Sequence, residues 1–439
     1  MMRIKPVPII KGAALAALVV CAVIQTGMLW FSRTDGSLFD SIFAPRRESL
    51  GDALLIAVKP FRLTVGADGS FDSRVSDIAY MSGQKAIPSE AFAAYQAALA
   101  ELFRSGGFVG AEQADWAAYL SGSSLVAEYA VSMPSDIFTR CLGGSGGLLS
   151  SRFPDFSSVV IVPGFVIFVN GGGEAWRFTA PVEPPPIADE APGFRSVSSA
   201  LAGMTAFAGN AFLPDWPEDT LEYNQLALEN PYTLNGDLLY STIQSGITVF
   251  FENPSVVRPS SVNGIYTFTD ESTVVRYNPD GTLEYASFRS SAGGADTFEE
   301  AFSAAVAFIE RDPARPRDYY LSSYENTGSG WAFSFDCAAG GFPIYFSERL
   351  TVGAFMSVTV EGGEVSRYTH YAFIPTVSQE QTAQAGRQNL ADAARGTEAG
   401  YEPGSLTEMT LGYRLDGADT AKLYWFVNEN GVRSSGPAR

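Results

Sequence analysis

The chain has 439 residues, with 29 Lys and Arg against 48 Asp and Glu, for a net charge of −19. That length buries a sizeable core and holds two or three domains. The acidic balance leaves no basic stripe to neutralise phosphates, which excludes a nucleic-acid partner, and anionic membrane surfaces repel it, so any membrane contact must come from an apolar segment.

Such a segment opens the chain. Residues 12–31, GAALAALVVCAVIQTGMLWF, would span roughly 30 Å as a helix, the thickness of a bilayer core. Arg3, Lys5 and Lys11 precede it and no acid does. The pattern predicts a cytoplasmic stub (1–11), an uncleaved transmembrane anchor (12–31) and an extracytoplasmic remainder. A secretory signal also begins with positive charge, but its apolar region is shorter and no A-x-A-like site follows here. Ala13, Ala17, Cys21 and Gln25 recur at four-residue steps. Small residues on such a ridge let a partner helix approach, and Gln25 can hydrogen-bond to it; the plainer reading is alanine filler with Gln25 at the outer interface. These four are the candidate partner-binding residues.

Residues 32–50 read as a stalk, followed by an N-terminal half over 51–250. Its opening segment predicts two strands broken at Pro60 and a turn at Gly66–Gly69. A helix is predicted over 88–107, with Ser89 as cap and apolar residues at three- and four-residue steps from Phe92 to Phe103. Residues 157–181 read as strand, strand, Gly turn, strand, and the Pro-rich stretch 181–195 as a loop or boundary.

A central module over 251–375 includes TVVRYNPDGTLEYASF at 273–288. Pro279, Asp280 and Gly281 suit a type I turn closed by a left-handed glycine, pairing Tyr277 with Leu283, Arg276 with Glu284 and Val275 with Tyr285. The charges then form a cross-strand pair rather than a catalytic or calcium-binding loop. A helix over 296–312 and several strands follow, including a Gly362–Gly363 hairpin. The last module, 376–439, reads as a helix over 378–396 followed by two strands, SLTEMTLGYRL and KLYWFVNENGV. The whole predicts an α+β protein: a transmembrane helix, then a multi-module ectodomain of antiparallel sheets with packed helices.

Candidate chemistry is sparse. The single histidine, His370, lies in a predicted strand without metal-ligand spacing or a G-x-S-x-G elbow. GGSGG at 143–147 lacks the Lys-Ser/Thr of a phosphate loop. Asp215, Glu218, Asp219 and Glu222 beside Trp216 read as an exposed acidic helix start, with a carboxylate-dependent hydrolase as the sharper alternative. Cys141 and Cys337 are compatible with one disulfide or with two buried thiols. No catalytic residue, metal or cofactor is expected.

Three stretches carry a family likeness: FLPDWPEDTLEYNQLA, VFFENPSVVRPSSVNGIYTFTDESTVVRYNPDGTLEYASF, and AFSFDCAAGGFPIYFSE with SVTVEGGEVSRYTHY. Together with VIQTGMLWF in the anchor, they resemble the YycH/YycI-type regulators of the WalK (YycG) sensor histidine kinase. The resemblance is greatest over about 212–375, while residues 51–211 match only in layout. It implies a non-enzymatic, membrane-anchored protein that associates with the kinase, partly through transmembrane helices, and tunes signalling over cell-wall metabolism. A second YycH/YycI-type protein is a further implied partner. The rival reading is an anchored wall-binding module or wall hydrolase.

Overall fold

The computed structural model describes residues 58–186, 220–386 and 408–437, apart from short segments among them such as 142–148, 290–296 and 347–352. The anchor, the stalk, the GGSGG stretch and residues 215–219 lie outside the described residues. Among the described residues no helix is long and apolar enough to cross a membrane.

The first layer is built from β1 (Arg62–Ala67), β2 (Ser70–Val75), the hairpin β3 (Ala79–Ser82) and β4 (Lys85–Pro88), helix α1 (Glu90–Ser105), β5 (Gly107–Gln113), the short α2 (Trp116–Tyr119), β6 (Ser124–Pro134), α3 (Ser135–Cys141), β7 (Asp155–Val162), β8 (Phe165–Val169) and β9 (Glu174–Thr179). Seven of these strands form one antiparallel sheet in the order β2-β1-β6-β7-β8-β9-β5. The predicted helix and the three strands of 157–181 are therefore present. After Pro60 there is one strand, β1, which pairs antiparallel with β2. Helix α1 buries Phe92, Tyr95, Ala98, Leu99 and Leu102, the stripe that a three- and four-residue repeat places on one face. Phe138, Phe153, Phe156, Phe168 and Phe178 fill the space beneath in tilted and edge-on contacts, the arrangement aromatic quadrupoles favour.

The second layer contains β10 (Thr220–Glu229), the small hairpin β11 (Thr233–Leu234) and β12 (Asp237–Leu238), helix α4 (Tyr240–Ile247), β13 (Arg258–Val262), β14 (Ile265–Thr269), β15 (Thr273–Tyr277), β16 (Thr282–Ser287), helix α5 (Phe298–Ile309), β17 (Tyr319–Asn326), β18 (Gly330–Ala339), β19 (Phe342–Phe346), β20 (Met356–Glu361), β21 (Glu364–Tyr371), β22 (Ile374–Gly386), β23 (Glu408–Leu415), β24 (Thr420–Glu429) and β25 (Val432–Pro437). All but the β11–β12 hairpin join a 14-stranded sheet whose main path runs β13-β14-β15-β16-β21-β20-β18-β19-β23-β24-β10-β22. Among the described pairs only β19–β23 is parallel.

The 273–288 hairpin has the predicted register: Tyr277 faces Leu283, Arg276 faces Glu284 and Val275 faces Tyr285. Gly281 N–H donates to the Asn278 carbonyl at 3.0 Å, and Asn278 N–H to the Thr282 carbonyl at 2.8 Å. Gly281 sits at φ +86°, and a Cβ there would meet Phe373 at 1.9 Å, so both backbone and space demand glycine. At 362–363 two glycines with positive φ supply the backbone of a two-residue hairpin turn between β20 and β21.

Helix α5 begins at a capping box between Thr297 and Glu300. Its buried face carries Phe302, Val306, Phe308 and Ile309 against the sheet. Each contributes about 1.5–3 kcal/mol by burial, against about 1 kcal/mol for a threonine N-cap. Packing, not capping, holds α5 in place.

One predicted helix is absent. Over 378–386 the chain is strand β22, antiparallel to β10 from Thr220↔Gly386 to Glu229↔Ile374; residues 387–396 lie outside the described residues. Helix propensity in a Gln/Ala-rich segment is worth tenths of a kcal/mol per residue, and the offer of a long ladder partner overrides it. The same pairing makes 220–224 strand rather than the start of an acidic helix.

The two layers meet through Phe61 and Tyr320, with ring centroids 5.1 Å apart, through the Tyr324 hydroxyl, which donates to the Ser132 carbonyl at 2.9 Å, and through an Arg140–Glu299 ion pair. Lys59, only 5% exposed, lies beside Cys337, and burial lowers its ammonium pKa to about 7. Cys337 is a buried free thiol, pushed up by the same desolvation.

Candidate functional site

The C-terminal end of α5 carries two consecutive residues with opposite fates, Arg311 and Asp312. Asp312 turns inward. Its Oδ2 accepts from the Tyr368 hydroxyl at 2.8 Å and lies 2.7 Å from His370 Nδ1, while Oδ1 accepts from the Ala314 amide at 2.8 Å. His370 and Asp312 side chains are both 0% exposed. Tyr368 and His370 come from alternate positions of β21, which places them on the same face. Burial alone drives the Asp312 carboxyl up, but the charge and hydrogen bond of His370, with the donors Tyr368 and Ala314, hold it below the usual carboxylate value. Burial also pushes the Tyr368 phenol well up, so it stays a donor. A carboxylate acceptor requires Nδ1 to carry a proton. His370 Nε2 has no hydrogen-bond partner, nor has the nearby buried Tyr232 hydroxyl.

The cluster has the carboxylate–histidine half of a hydrolytic triad and none of its access. Fully buried, His370 cannot reach a substrate, and the strand position read from the sequence is where it lies. The sequence concealed its partner, because Asp312 is 58 residues away and follows a helix whose exit direction no local pattern encodes.

Arg311 turns outward, into a cleft of about 270 Å³ between α5, β15, β16 and the β20–β21 turn. Phe250, Tyr285 and Phe308 form its aromatic floor. Phe250 stacks on Phe308 at 5.3 Å, and Tyr285 leans on Phe308 at 4.7 Å. Both Phe250 and Phe308 also touch Tyr368, so the cleft floor is the outer wall of the buried cluster. Arg311 donates to the Val249 carbonyl at 2.6 Å and lies over the Phe308 ring. Arg289 pairs with Glu252 and donates to Ser272 Oγ at 3.1 Å. Burial raises the Tyr285 phenol, while a hydrogen bond with Ser287 and the charges of Arg311 and Arg289 pull it back; both arginines line the cleft with it. Glu364 closes the rim from the β20–β21 turn. None of these residues stood out in the sequence, since the four charges belong to four separate segments.

Among the described residues no group of His, Cys, Asp and Glu could hold a metal ion. The anchor residues Ala13, Ala17, Cys21 and Gln25, and the acids Asp215, Glu218 and Asp219, lie outside the described residues; Glu222 lies on β10.

No protein-family model and no curated protein sequence matches the chain. Among solved structures, YycH from Bacillus subtilis aligns over 89% of this chain and 97% of its own, with a TM-score of 0.55 and 13% identity. The chain has the fold of YycH. An uncharacterized protein from Eubacterium rectale aligns over 51% of this chain and 83% of its own, with a TM-score of 0.31 and 12% identity. The YycH likeness takes in the first layer, where the sequence carried only a similarity of layout, because 89% coverage cannot be reached by the second layer alone. The cleft and the Asp312–His370 cluster both lie in the second layer of this YycH-like fold.

Proposed function

We propose that this chain is a non-enzymatic, single-pass membrane regulator, with residues 1–11 cytoplasmic, 12–31 in the bilayer and the folded remainder outside. It associates with a WalK-type sensor histidine kinase and modulates two-component signalling over cell-wall metabolism. The observation that carries the reading is the YycH-like fold across nearly the whole chain. The apolar run at 12–31 with its basic flank supports the topology, and the burial of the single histidine supports a binding rather than a catalytic role.

Regulation requires that the protein favour one kinase state over another, since equal affinity shifts nothing. The anchor ridge of Ala13, Ala17, Cys21 and Gln25 is the proposed contact, by close helix approach and a hydrogen bond from Gln25. A second YycH/YycI-type protein is a proposed companion in the complex.

Affinity purification from detergent-solubilised native membranes, with partners identified by mass spectrometry, tests this. The native chain recovers a sensor histidine kinase, and a version with residues 12–31 replaced by an unrelated membrane helix does not. Recovery by both moves the interface to the folded part; recovery by neither removes the kinase from the reading. Gln25→Leu weakens recovery when the intramembrane hydrogen bond contributes.

A further inference from the structure

We propose that the cleft over Phe250, Tyr285 and Phe308 is a binding site for a small zwitterion: an amino acid or the end of a short peptide with an apolar side chain. Its carboxylate lies between Arg289 and Arg311, its side chain rests on the aromatic floor, and its ammonium group faces the rim acids.

In a chain with a net charge of −19, two arginines from different segments line one cleft together with Tyr285. Planar guanidinium groups are the side chains best matched to a carboxylate. An internal carboxylate already rests on one of them: Glu252 pairs with Arg289 while remaining 72% exposed, against 31% for the arginine. An exposed pair of this kind is held weakly, so an incoming carboxylate exchanges with Glu252 at little cost. The structure thus displays, from its own chain, the group that the site accepts.

The rim decides against a polyanion. Glu252 and Glu364 line the opening, and Asp270 adds to the negative charge that Arg289 feels. A phosphate ester carrying two charges meets this ring of acids, whereas an ammonium group is drawn to it. Three aromatic rings beneath favour an apolar side chain. The volume, about 270 Å³, falls just below the roughly 300–1,000 Å³ of sites for drug-sized ligands, which suits one or two residues rather than a long segment.

The site also has a physical route inward. Arg311 precedes Asp312, which ties the end of α5 to β21 through Tyr368 and His370. Occupancy at Arg311 therefore bears on the residue that fixes the helix to the sheet. Binding by the purified chain needs no kinase, and recovery of a kinase needs no ligand, so this inference and the regulatory reading fail independently.

Isothermal titration of the detergent-solubilised full chain tests it with four probes: glycyl-phenylalanine, its C-terminal amide, its N-acetyl form and phenyl phosphate. The dipeptide binds, and the amide and the N-acetyl form each bind at least about tenfold more weakly, the factor that 1.4 kcal/mol represents. Arg311→Gln lowers dipeptide affinity by a similar factor. Should that variant fail to fold, Glu364→Gln on the exposed turn weakens the dipeptide while leaving the N-acetyl form unchanged. Equal binding of dipeptide and amide, tighter binding of phenyl phosphate, or no heat with any probe overturns the proposal.

Discussion

Arg311 and Asp312 are neighbours in the chain and opposites in environment. Asp312 is sealed in the interior, where its partners are fixed and its carboxylate contacts are short. Arg311 reaches a cleft whose other charges, Arg289 and Glu252, remain partly in water. In a low-dielectric interior a charge is costly unless satisfied, so such a cluster fixes geometry and cannot trade partners. In a wet cleft the same kinds of groups exchange partners easily, which suits recognition. One end of one helix thus provides both an anchorage and a binding surface.

Breaking the buried side has the largest effect. Asp312→Ala leaves His370 and Tyr368 without their acceptor and destabilises the fold by about 3–5 kcal/mol, measured by denaturant unfolding. The pH dependence has a definite sign. A folded-state carboxyl held below its ordinary value contributes stability that is present above about pH 4 and is lost as pH falls through the depressed value. Acid titration of the unfolding midpoint therefore shows a loss below about pH 4 that Asp312→Asn reduces.

Lys59 sharpens the comparison, being a buried cation at the junction of the layers. Its folded pKa, lowered by desolvation to about 7, lies below that of the unfolded chain. The unfolded state then holds more protons between about pH 7 and about pH 10.5, so stability rises with pH across that window. The rise is on the order of 3 kcal/mol after relaxation, and Lys59→Met flattens it in thermal unfolding at paired pH values. On the cleft side the effect on stability is the smallest. Glu252→Gln costs under about 1 kcal/mol, because the pair it breaks with Arg289 is largely exposed. A large loss of stability from Glu252→Gln would place the cleft with the rigid interior and remove the contrast.

How much of this the sequence disclosed depends on distance along the chain. The Arg276/Glu284 register followed from three turn residues, because Pro279, Asp280 and Gly281 act locally. The stripe of α1 was legible for the same reason. Strand β22 was not, because its partner β10 lies some 150 residues earlier and local Gln/Ala composition favours a helix. The cleft was hidden more deeply still. Phe250, Glu252, Tyr285, Arg289, Arg311 and Glu364 have no mutual spacing that periodicity can detect, and only the packing of α5 on the sheet gathers them.

The pairing of β10 with β22 and β24 also has a consequence in time. At about 5–20 residues per second of synthesis, the 145 residues from Glu229 to Ile374 keep β10 waiting roughly 7–30 s for its first neighbour. During that interval one long ladder of amide and carbonyl groups has no native partner, and every nascent copy on a polysome offers the same strand to the next. A chain that terminates before residue 374 never completes the sheet.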